Sequence, residues 1–116
     1  MTDEENCKQM IDDLLRSRLH DFELALDGFD PETGERVKDF DFLEWLDDYI
    51  LSFSDDPYYR AKRMELSVGG PGADSFLMFN NGLIEYRCAT WGGEQVRTLF
   101  DDDLKIMEQV RDYLIE

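Results

Sequence analysis

Apolar residues recur at helical spacing between Thr2 and Leu26, where Cys7, Met10, Ile11, Leu14, Leu15, Phe22, Ala25 and Leu26 share one stripe. The spacing predicts a long first helix. Thr2 and Glu5 stand at capping-box distance at its start, and Gly28 is a natural stop at its end. Phe29 to Lys38 holds the turn-forming run Asp30-Pro31-Glu32-Thr33-Gly34, which reads as an exposed loop or a short hairpin. A second helix is expected over Asp41 to Phe53. Leu43, Leu46, Ile50 and Phe53 lie on one side, with Phe42, Trp45 and Tyr49 beside them, and Asp55-Asp56-Pro57 ends it.

The period then changes. Met64, Leu66 and Val68 alternate with Arg63, Glu65 and Ser67, the pattern of a half-buried strand broken by Gly69-Gly70-Pro71-Gly72. Phe76 to Phe79 reads as a second strand, Asn81-Gly82 as a type I′ hairpin turn, and Leu83 to Trp91 as a third strand. Gly92-Gly93 turns the chain into a short fourth strand, Gln95 to Leu99. Asp101 to Ile115 closes the chain as a helix with Ile106, Met107, Val110, Tyr113 and Leu114 inward. These elements predict one α+β domain over residues 1–116: two N-terminal helices, an antiparallel three- to four-stranded meander and a C-terminal helix. A length of 116 residues fits a single core.

Charge changes the picture most. The chain carries 28 acids against 12 bases, a net of −16. The stretch from Asp21 to Asp56 alone holds 13 acids and only Arg36 and Lys38. Apolar content of 42% and aromatic content of 13% predict a folded core despite that charge. An anionic face argues against direct binding to nucleic acid or to a membrane surface. No apolar run approaches the roughly 20 residues that span a bilayer, and the acidic start Met1-Thr2-Asp3-Glu4-Glu5 is unlike a signal peptide. Cys7 and Cys88 belong to no C-x-x-C pair and read as reduced thiols, so a cytoplasmic protein is expected.

The acidic segment is the main functional candidate. On the expected second helix Asp41, Glu44, Asp48 and Asp55 follow at spacings of three, four and seven, with Asp47 beside them. Almost no Lys or Arg stands at i±4 to neutralise this stripe. Proteins that grip DNA aim Lys and Arg at phosphates, so ordered carboxylates can occupy such a groove. The stripe with its neighbours Asp39 and Asp56 forms one candidate partner-binding group; Asp27, Asp30, Glu32 and Glu35 form a second. A solvated face with no partner is the plain alternative. The acids at 3–5 and 101–103 are explained by helix starts.

Catalysis has little support. His20 is the only histidine, and acid runs such as Asp39-x-Asp41 are expected by composition alone. The segment Asp27 to Lys38 fails the EF-hand pattern, because Phe29 stands where an acid is needed five positions before Gly34. No Gly-Lys-Ser/Thr follows the Gly69 run, so it is not a phosphate loop. No catalytic residue, metal ligand or cofactor is assigned. Trp91-Gly92-Gly93-Glu94 reads as a core cap or as an aromatic anchor for a partner.

The succession of a strand, Gly69-Gly70-Pro71, a hairpin and Trp91-Gly92-Gly93 resembles small acidic proteins encoded by phages and mobile elements. It covers about residues 63–100 and rests on two short glycine motifs. Gly72-Ala73-Asp74 departs from it where a more apolar continuation is expected. The resemblance implies an inhibitor of host defence, of the anti-CRISPR or anti-restriction kind that mimics DNA, and it carries over no functional residue. The implied partner is a basic nucleic-acid-binding protein: a CRISPR effector, a restriction enzyme or a nuclease. A monomer or small homo-oligomer is expected. The alternatives are an immunity protein or antitoxin against a basic nuclease toxin, a small acidic oligomeric structural protein, and a small carboxylate or Mg²⁺ enzyme.

Overall fold

A computed structural model describes residues 3–69, 72–90 and 92–115, with side chains from residue 10 onward. Thr2, the Glu5 and Cys7 side chains, Gly70, Pro71 and Trp91 lie outside what is described, and with them the expected capping pair. The chain runs α1 (Asp3–Leu26), α2 (Phe42–Tyr49), β1 (Ser52–Asp56), β2 (Ala61–Glu65), β3 (Asp74–Phe79), β4 (Ile84–Thr90), β5 (Gly93–Thr98) and α3 (Asp101–Leu114). The fold is α+β. The strands form one sheet in the order β1-β2-β3-β4-β5, and every neighbouring pair is antiparallel.

Five strands replace the expected three to four. The extra one is β1, cut from the end of the expected second helix. Leu51 and Phe53 alternate with Ser52 and Ser54, yet Ile50 and Phe53 also stand at helical spacing, so both periods fit this short apolar run. The ladder decides: Ile50 turns extended (φ −93°, ψ 151°), and Phe53 falls opposite Met64, which is fully buried. Asp55 is therefore a strand residue and not part of a helical stripe. Asp56 then builds the turn into β2, its carboxylate accepting from the N–H groups of Tyr58 and Tyr59 and from Arg63.

Two further local readings change. β2 stops at Glu65 because the N–H groups of Leu66 and Ser67 both donate to the carbonyl of Asp74. Two residues against one is the arrangement of a bulge, which bends the strand. Leu66 stays buried, whereas Val68 is 66% exposed. The β3–β4 connection is a three-residue loop, not a type I′ turn. Gly82 N–H donates to the Phe79 carbonyl and Phe79 N–H to that of Leu83, and of the loop residues only Gly82 has positive φ (+92°).

The helices cover one face of the sheet. Ile11, Leu15, Leu19, Phe22 and Ala25 of α1 pack with Phe42 and Leu46 of α2 and with Met107 and Val110 of α3. The sheet contributes Met64, Phe76, Met78, Ile84, Tyr86 and Cys88 to the same core. Phe22, fully buried, meets Trp45, Tyr49 and Phe76 edge-on at 5.7, 5.3 and 6.1 Å. The opposite face of the sheet holds its arginines in internal pairs. Arg63 pairs with Asp56 and Ser75, and Arg87 pairs with Glu85 and Glu94 while lying 4.4 Å over the Tyr59 ring. No helix of the described residues is long and apolar enough to cross a membrane.

Candidate partner-binding surface

The segment after α1 is a short hairpin. Phe29 bridges Arg36 across it, and Asp30 N–H donates to the Glu35 carbonyl at 2.9 Å. Gly34, with φ +74°, makes the reversal, and the Asp30 carboxylate accepts from Glu32 N–H at 2.9 Å. Asp27, Glu32, Glu35 and Asp39 are exposed along it. The chain then reaches Asp41, the N-cap of α2, whose carboxylate accepts from Glu44 N–H at 3.1 Å. Removing that cap in Asp41→Ala costs about 1 kcal/mol, which a lowered urea midpoint with an unchanged slope will show.

Hairpin and helix meet around Trp45. The indole is half-buried, stacked on Tyr49 with centroids 4.6 Å apart. One hollow of about 370 Å³ is lined by Phe40, Trp45 and Tyr49 with Asp30, Glu32 and Asp48. Its neighbour, about 320 Å³, shares Phe40, Trp45 and Asp48 and adds Val37, Asp39, Asp41 and Glu44. Six carboxylates thus surround one aromatic platform, and no Lys or Arg among the described residues lines either hollow. A guanidinium or ammonium group placed there would gain from both the carboxylates and the indole face.

The remaining candidates stand elsewhere. Asp47 is exposed on the far side of α2, lining a third hollow with Asp41 and Glu44. Asp27 lies at the base of the hairpin and Glu35 opposite Asp30 beside its turn, both outside all three. Asp55 pairs with Lys62 at 2.5 Å, and Asp56 pairs with Arg63 at 2.9 Å. The Arg63 guanidinium is the main cause holding Asp56 below the usual carboxylate range. Asp56 is thus committed to its own fold, whereas among the described residues no Lys or Arg lines the hollows that hold the carboxylates around Trp45.

The position of Asp47 and Asp48 is informative. Both lie in the last turn of α2, which contains no basic residue. The carbonyl end of a helix disfavours carboxylates by a few tenths of a kcal/mol to about 1 kcal/mol each. Helix stability therefore does not account for these two acids, unlike Asp101 to Asp103, which occupy the first turn of α3. Asp103 also pairs with Arg16, tying α3 to α1.

A second acidic arrangement escaped the linear reading. The Asp74 side chain is wholly buried and accepts two bonds from Arg18, at 2.8 and 3.0 Å. It also accepts from Tyr86 at 2.5 Å and from the Ser67 hydroxyl. Arg18 reaches on to the Tyr49 hydroxyl at 3.0 Å, and Tyr49 donates to Asp21 at 2.7 Å. This chain of bonds joins α1, α2, the β2–β3 loop, β3 and β4. Burial raises the Tyr49 hydroxyl, and with the bond to Asp21 it outweighs Arg18 and holds the group up at about 12. Burial alone would raise Asp74, but bonds from Arg18, Ser67 and Tyr86 hold it below its ordinary value. The available signal was Asp74 sharing strand parity with Phe76 and Met78, which marks an inward acid.

His20 is exposed on α1, and among the described residues no three His, Cys, Asp or Glu side chains are grouped to hold a metal ion. Comparison of the chain with protein-family models, with curated proteins and with solved structures finds no match in any of the three.

Proposed function

We propose that the protein is a non-enzymatic inhibitor that presents carboxylates to the basic groove of a nucleic-acid-binding defence protein, of the CRISPR-effector or restriction-enzyme kind. The carrying observation is the set of six carboxylates around Trp45, with no Lys or Arg among the described residues that line the two hollows. Such a surface does two things. Its long-range field raises the rate of encounter with a cationic groove. At contact it pairs with Lys and Arg that otherwise hold phosphates, so nucleic acid and inhibitor compete for the same bases. On the outer face of the sheet Arg63 and Arg87 hold acids in ion pairs, whereas among the described residues no Lys or Arg lines the hollows of the hairpin–α2 end.

The test is an affinity pull-down from bacterial lysate at low and high salt. The expected catch is a nuclease or CRISPR effector, released by a few tenths molar salt and displaced by duplex DNA. Capture of no nucleic-acid-binding protein at low salt overturns the proposal. A captured nuclease whose gene neighbours this one would assign the protein to the immunity class instead.

A further inference from the structure

Beside the acidic platform lies a groove of different character, about 670 Å³, between α2, the edge of β1 and the end of α3. Its floor is apolar: Leu43, Leu46, Ile50, Leu51, Phe53 and Leu114. Leu43 and Leu51 are 48% and 57% exposed. The charged groups that line it are Asp41, Glu44 and Asp47, all acids.

β1 is an edge strand, bonded to β2 on one side only. Edges of this kind accept an added strand through their unpaired backbone groups. In an antiparallel ladder, opposed residues share a face, so every second side chain of an added strand would project to the helix side, where Phe53 lies. That is the side on which the apolar groove opens. Its occupant must also satisfy the charge. A second copy of this chain, with a net of −16 and with Asp41, Glu44 and Asp47 lining its own groove, would meet like charge there. A nucleic acid strand would meet the same repulsion and has no aliphatic group to seat over Leu46 and Phe53.

We infer that the β1 edge and this groove bind an extended, basic segment of a partner protein by strand addition. Its helix-side residues are apolar where they sit over Leu46, Ile50 and Phe53 and are Lys or Arg on either side of that stretch, where they pair with Asp41, Glu44 and Asp47. The inference rests on the proposed basic partner and deepens it: recognition combines charge with an apolar, backbone-paired anchor that phosphate mimicry alone would not need.

Two blocked peptides of equal charge test it, Lys-Thr-Leu-Thr-Val-Thr-Leu-Thr-Lys and Lys-Thr-Ser-Thr-Thr-Thr-Ser-Thr-Lys, whose odd positions share the helix-side face, titrated against the full chain and followed by amide NMR. At roughly 0.3 M salt, where exposed charge pairs are screened, the apolar peptide is expected to bind about tenfold tighter, the loss of a side chain's worth of burial setting that ratio. It should shift the signals of residues 51–56 and Leu114 and slow amide exchange along β1. Leu43→Ser and Leu51→Ser, both at exposed positions, should weaken the apolar peptide about tenfold and leave the polar one unchanged. Equal affinity of the two peptides, shifts confined to the Trp45 side, or dimerisation of the chain through β1 on ultracentrifugation would overturn the inference. If the polar peptide also fails to bind at low salt, the acidic-surface reading falls with it. If the polar peptide binds and the apolar one gains nothing, only the groove assignment falls.

Discussion

Asp74→Ala is expected to lower the stability of the fold by about 3 kcal/mol, the lower end of the cost of breaking a buried ion pair. The lower end applies because Arg18 keeps a side-chain exposure of 21% and can recover some hydration, whereas Asp74 has none. The loss leaves a guanidinium, the Tyr86 hydroxyl and the Ser67 hydroxyl without their common acceptor. Against a typical domain stability of about 5–15 kcal/mol, this is the largest effect expected of a single surface-independent substitution outside the aliphatic core. Urea unfolding should show a lower midpoint with an unchanged slope. Replacing Arg18 by Met in the same chain should restore part of the loss, because an isolated buried charge costs more than no charge. An Asp74→Ala protein as stable as the parent would mean that the network contributes nothing net.

The same group sets a pH dependence. Its carboxyl is held below its unfolded value, near 3.9 for an aspartate, so the folded state binds that proton more weakly than the unfolded chain does. Its contribution is therefore complete above about pH 4 and is lost as pH falls through the lower folded value. Asp56 acts in the same direction through Arg63. From these two groups stability is expected to hold from pH 7 to about 5 and to fall below about 4. In Asp74→Asn the fall below pH 4 should be shallower, measured as urea midpoints across the range.

The second large effect concerns binding. Glu44→Lys, Asp47→Lys and Asp48→Lys together should weaken the captured partner about 100-fold or more, since like charges brought together at an interface cost several kcal/mol. The thermal midpoint should stay level or rise, because two of the three cations then sit at the carbonyl end of α2, where they are favoured. A control of equal charge change, Asp13→Lys with Asp102→Lys and Asp112→Lys, alters exposed positions away from the platform. It should slow association through the weaker field and leave dissociation nearly unchanged. Equal losses from the two triples would show that net charge, not the α2 surface, is what the partner reads.

The legible parts of the fold were those decided within a few residues. α3 follows from its period and acidic first turn, the start of α2 from its period, and the β3–β4 reversal from Asn81-Gly82 even though the loop is one residue longer than a type I′ turn. The α2–β1 boundary was not legible. Leu51 to Phe53 satisfies both periods, and only the opposing β2 strand, with Met64 across from Phe53, makes the extended form bury more. Asp74 was visible as an oddity in the linear chain, an acid where an apolar residue was expected. Its meaning needed Arg18, 56 residues earlier in sequence.

Composition and pattern alone determined that this is an α+β chain with an acid surplus between Asp21 and Asp56, because charge counts and side-chain periods are local properties of a sequence. Which of those acids are free was decided only by the tertiary structure. Folding brings Lys62 to Asp55 and Arg63 to Asp56 across a turn, makes Asp41 a helix cap, and gathers Asp30, Glu32, Asp39, Glu44 and Asp48 around Trp45, in hollows that no Lys or Arg among the described residues lines. Carboxylates far apart in sequence become one surface because a hairpin and a helix pack on the same aromatic side chains, and linear spacing carries no record of that contact.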